Sequence, residues 1–168
     1  MLIIFGGLPG TGKTTLSREL ARRLSATWLR IDTVEQAILR SGIATQSGPA
    51  GYLAAYAIAE DNLRLGTIVV ADAVNALPVI RNSWRDLAQA AAVPCTEIEV
   101  ICSDSTIHRQ RIEQRTADIP GHVLPSWQDV LDRDYHPREG DHILIDTASQ
   151  SIPQALEEIL RQLSPLVS

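Results

Sequence analysis

Gly7-Leu8-Pro9-Gly10-Thr11-Gly12-Lys13-Thr14 is the stretch from which the rest of this chain can be read. Ahead of it, Leu2-Ile3-Ile4-Phe5 is apolar at every position, as a central parallel strand buried on both faces must be. Behind it, Leu16, Leu20, Ala21 and Leu24 recur at helical spacing. A strand therefore passes into a helix through a glycine-rich turn. Gly6, Gly7, Gly10 and Gly12 allow successive backbone N–H groups to face one anion at close range. The N-terminus of the helix adds unpaired donors and partial positive charge. The stretch fits G-x-x-x-x-G-K-[ST] at every position, so Lys13 is expected to reach the β and γ phosphates and Thr14 to ligate Mg²⁺. Gly7, Leu8, Pro9, Gly10, Thr11, Gly12, Lys13, Thr14 and Thr15 thus form an expected nucleoside-triphosphate cradle.

Composition supports that reading. Of the 15 lysine and arginine residues, Lys13 is the only lysine, and it stands at the one position where the cradle asks for an ammonium. A length of 168 residues, 45% hydrophobic and 21% charged, predicts a single globular domain spanning residues 1–168. The net charge of −5 argues against a long nucleic acid as partner, since such partners are met by a basic face. Cys95 and Cys102 are too few for a disulfide framework or a zinc site. No apolar run approaches the roughly 20 residues that span a bilayer, and Met1–Phe5 lacks a basic flank. A cytoplasmic protein without a membrane partner, monomer or homodimer, is expected.

Four further apolar runs read as strands: 27–31, 67–71, 97–102 and 142–145. Helical patterns fall at 33–41, 50–65, 79–91, 104–116, 126–135 and 153–163, the last with Ser151 and Gln154 at capping-box spacing. Alternating strands and helices predict an α/β domain with a parallel sheet and helices on both faces. Strand carboxyl ends face the ligand crevice in such sheets. Asp32 follows the second strand, so it is either a proton acceptor for an attacking hydroxyl or the cap of a helix with Glu35. Asp72 ends the third strand, as a metal-holding aspartate does; with Asn75 it also suits a simple turn. Arg111 and Arg115 lie four apart on one helix face, where two like charges favour an anion between them.

These motifs resemble the small P-loop kinases of the nucleoside monophosphate kinase-like group, in the branch of chloramphenicol phosphotransferase, gluconate kinase, adenylylsulfate kinase and zeta toxin. The resemblance implies a three-layer fold, a five-stranded parallel sheet of order 2-3-1-4-5, an acceptor cleft and a lid, here about 109–141. It implies catalytic roles for Lys13, Asp32, Arg111 and Arg115, with Arg109 also on the nucleotide. Thr14 and Asp72 would hold Mg²⁺, and Asp72 competes with Asp32 as base. Asp32, Arg40, Asp72 and Arg81 would meet the acceptor. The expected reaction moves the γ-phosphate of ATP, with Mg²⁺, to a hydroxyl of a small molecule such as an antibiotic, sugar acid or nucleoside. The rivals are a nucleotide or polynucleotide kinase, and a nucleotide-binding switch or toxin-type protein with little turnover. Ala73 follows Asp72 where a water-activating NTPase would carry glutamate.

Overall fold

The structure is a computed structural model describing residues 1–43 and 46–166. Strands β1 (Leu2–Gly6), β2 (Thr27–Arg30), β3 (Val69–Asp72), β4 (Cys95–Ile101) and β5 (Ile143–Asp146) form one parallel sheet, ordered β2-β3-β1-β4-β5. Between and after them run α1 (Lys13–Leu24), α2 (Ile31–Arg40), α3 (Ala50–Arg64), α4 (Pro78–Ala90), α5 (Ser105–Gln114), α6 (Trp127–Leu131) and α7 (Ile152–Leu163). The expected order 2-3-1-4-5 is the observed one.

Every residue of β1 is buried, and its alternation builds both outer layers. Ile3 and Phe5 pack with Leu16 and Leu20 of α1 and with Ile159 and Leu163 of α7. Leu2 and Ile4 pack with Ala55 and Ala59 of α3 and Trp84 of α4. With β3 between β1 and β2, Asp72 lies in register with Phe5 on one side and Arg30 on the other. Three chain segments with chemistry to offer therefore leave the sheet at the same edge.

Two boundaries differ from expectation in ways that matter for the site. Helix α2 starts at Ile31, with Arg30 as its N-cap, so Asp32 sits inside the first turn and does not cap it. The helix expected over 126–135 ends at Leu131. Beyond it the chain is drawn across the sheet as a strap: Tyr135 donates to Glu99 at 2.6 Å, and Arg138, almost wholly buried, pairs with Glu97. Those tertiary bonds outweigh the weak helical propensity of Asp132-Arg133-Asp134.

Arg81, expected at the acceptor, belongs to this strap instead. It is buried, and its guanidinium donates to the carbonyls of Asn75, Ala76, His136 and Pro137 at 2.8–3.3 Å. It does not line the cleft; its Nη1 and Nη2 donors tie the β3–α4 loop to the strap. Arg81→Ala removes these four bonds, leaving the Ala76 carbonyl with only the His136 N–H, and should cost about 3 kcal/mol, read as a lower urea midpoint.

Candidate functional site

The turn after β1 is shaped by main-chain conformation before any side chain enters. Gly7 (φ 137°) passes so close to β4 that a Cβ would stand 2.1 Å from the Val100 carbonyl oxygen. Gly12 (φ 94°) is the left-handed N-cap of α1. The turn is held from outside by two contacts. The His108 Nε2–H of α5 donates to the Pro9 carbonyl at 2.7 Å. Thr147, just past β5, donates from Oγ1 to the Thr11 carbonyl at 2.7 Å. Neither residue is part of the motif; His108 looks unremarkable in sequence, and Thr147 looks like a strand-ending turn.

Lys13 is buried, with Nζ 3.4 Å from the Leu8 carbonyl. Burial lowers its pKa, while Asp72 and Asp32 oppose the shift and Arg115 and Arg133 add to it. These four groups therefore surround the ammonium electrostatically, although they come from four separate segments. Asp72 is 2% exposed, and neither carboxylate oxygen has a hydrogen-bond partner. Burial raises its pKa and Lys13 pulls it back. An orphaned buried carboxylate beside the Thr14 hydroxyl fits a hard cation that keeps most of its waters. Among the described residues no cluster of three or more His, Cys, Asp or Glu side chains is arranged to hold a metal alone.

In front of the cradle lies a cleft of about 920 Å³. Lys13, Thr14, Thr15, Asp32, Arg111 and Arg115 all line it, as do Arg18, Arg30, Glu35, Tyr52 and Arg133. Arg111 donates to Thr147 twice, at 2.7 Å to Oγ1 and 3.0 Å to the carbonyl, so it braces the cradle's support. Arg115 and Arg133 line the cleft with no ion pair among the described residues. Sequence reasoning missed Arg18, Arg30 and Arg133, the last because nothing in the 126–135 pattern showed where the helix would stop.

Besides Arg81, two more expected site residues lie away from this cleft. Arg109 points away, exposed and paired with Glu113 at 2.7 Å. It is two residues from Arg111, about 200° around the helix, so the two cannot share a face. Arg40 is at the exposed end of α2, its Nε donating back to the Gln36 carbonyl at 3.2 Å. Eight residues separate it from Asp32, two turns along the helix and away from the sheet edge. Of the large aromatics, Tyr52 reaches the cleft, whereas Tyr56 and Trp84 pack edge-to-face in the core with ring centroids 4.4 Å apart. Among the described residues no helix is long and apolar enough to cross a membrane.

Comparison with known proteins adds to this geometry. The model of a family described as AAA domain matches residues 2–133. A probable adenylyl-sulfate kinase from Aeropyrum pernix is 28% identical over 152 residues, spanning 87% of this chain and 82% of that protein. The Mycobacterium tuberculosis APS kinase, solved with AMPPNP and APS, superposes with a TM-score of 0.73 at 16% identity over 97% and 96% of the two chains. Chaetomium thermophilum Kti12, solved with ADP-AlF3, superposes at 0.72 with 21% identity over 100% of both.

Proposed function

The chain belongs to the AAA domain family, and we propose that it is an ATP-dependent phosphotransferase acting on a hydroxyl of a small-molecule acceptor. The observation that carries this reading is the placement of Lys13 and Asp32 on two walls of one cleft, electrostatically linked, with Arg115 and Arg133 beside them. The adenylyl-sulfate kinase relative and the nucleotide complexes of similar folds support it.

The division of labour follows from the residues. The amides of Gly10, Gly12, Lys13, Thr14 and Thr15 and the Lys13 ammonium hold the β and γ phosphates. Arg115 and Arg133 neutralise charge spreading over the transferred phosphoryl group. The acceptor oxygen forms its bond to the γ-phosphorus as the bond to the β–γ bridging oxygen breaks, and ADP leaves with that oxygen. The hydroxyl proton passes to Asp32 and then to solvent. Thr14 and Asp72 would hold Mg²⁺, which would supply charge neutralisation to the polyphosphate. The lid expected at about 109–141 narrows in this reading to the part between two anchors. Ile112 and Arg111 fix one end, and Tyr135 and Arg138 fix the other. Closure of that segment excludes water as a competing acceptor.

Two measurements test the assignment. ADP release with MgATP is expected to depend on an added alcohol acceptor. Acceptor-independent release would make the protein an NTPase, and binding without release would make it a switch. Asp72→Asn is expected to abolish the gain in nucleotide affinity that Mg²⁺ gives the wild type, while metal-free binding persists; a titration with and without EDTA reads both.

A further inference from the structure

Arg30 has no part in the chemistry just described, yet it is the deepest cation of the acceptor wall. Its side chain is 6% exposed. Its fork is closed by one carboxylate, Nη1 to Asp118 Oδ2 at 2.7 Å and Nη2 to Asp118 Oδ1 at 3.0 Å. Asp118 comes from the loop between α5 and α6 and is 53% exposed. The remaining donor, Nε, has no hydrogen bond and lies 3.9 Å from Asp32 Oδ2. A buried guanidinium requires an anion, and here a surface loop supplies it through a side chain already half in water. Asp118 lies within the segment that closes, and its side chain, already half in water, can swing outward to leave Arg30 free.

We infer that Arg30 is the receptor for a carboxylate carried by the acceptor, and that Asp118 is its internal competitor. The seat is fitted to a planar pair of oxygens, and two parallel N–H donors bind such a pair bidentately. Asp32 and Glu35, one turn further along α2, both line the cleft, with the buried Asp72 behind them in register with Arg30, and this concentration of carboxylates makes the wall unfavourable to a doubly charged phosphate. Arg30 Nε stands 3.9 Å from Asp32 Oδ2, so a short hydroxy acid seated by its carboxylate on Arg30 brings its hydroxyl within reach of Asp32. The substrate class rests on the kinase reading above; the carboxylate seat does not.

Calorimetric titration in the presence of ADP tests the seat without turnover. The probes are threonate, its neutral analogue threitol, and inorganic phosphate. Asp118→Asn is expected to tighten threonate about tenfold by removing a half-exposed competitor, leaving threitol unchanged. Arg30→Gln is expected to lose threonate binding. Unchanged or weakened threonate binding in Asp118→Asn overturns the inference even if Arg30→Gln does not fold, and so does tightening for phosphate alone. ADP release driven by alcohols without a carboxylate, unaffected by Asp118→Asn, also overturns it while leaving the kinase intact. Threonate binding that tightens as stated, with no acceptor releasing ADP, supports the seat and removes the kinase.

Discussion

Lys13→Ala is expected to lower kcat/KM for acceptor-dependent ADP formation by at least ~10²-fold, the cost of losing one preorganised donor to the reacting phosphate. The ammonium is buried against the Leu8 carbonyl, so water cannot replace it at the same place. Burial holds its pKa below the ordinary lysine value, and a polyphosphate bound beside it raises that pKa again. Nucleotide binding should therefore take up protons, and affinity should fall as pH rises through the lowered lysine range. Titration in buffers of different ionisation enthalpy measures the uptake, which Lys13→Ala should abolish. Undiminished nucleotide affinity in the variant would remove the basis of the whole assignment.

Asp32→Asn is expected to cut kcat by about 10²- to 10⁴-fold while nucleotide affinity stays near wild type. The structure makes this a clean test. Arg30, not Asp32, caps α2, so to the helix the substitution costs only a favourable charge in the first turn, about 0.3–1 kcal/mol, beside the long contact with Arg30 and the attraction to Lys13. If Asp32 served the helix alone, stability would fall slightly and turnover would not move. Single-turnover ADP formation with saturating acceptor separates the two results. Retained single-turnover rates would shift attention to Asp72, the other carboxylate near Lys13.

Much of the site was legible along the chain because its demands are local. A cradle needs glycines, an ammonium and a hydroxyl at fixed offsets, and residues 7–15 carry all of them. Asp32 and Asp72 were legible because strand ends in a parallel sheet face the crevice. The arginines were not, because a guanidinium reaches a phosphate or a carbonyl equally well. Arg81 and Arg109 read in sequence like Arg115 and Arg133, yet the first ties a strap and the second pairs with Glu113 on the outer face of α5. Helix ends caused the other errors, since the stop at Leu131 comes from strap bonds made to distant strands.

By itself the sequence determined the alternation of strands and helices, the cradle between β1 and α1, and the carboxylates at the ends of two strands. Each depends on residues within a dozen positions of one another. Tertiary structure alone decided which cations face the cleft, that His108 and Thr147 hold the cradle from outside, and that Asp118 closes on Arg30. Those contacts join residues 36 to 136 positions apart, from Thr147–Arg111 to Thr147–Thr11. Local pattern constrains backbone conformation, but the partner of a buried charge is fixed only when the layers pack.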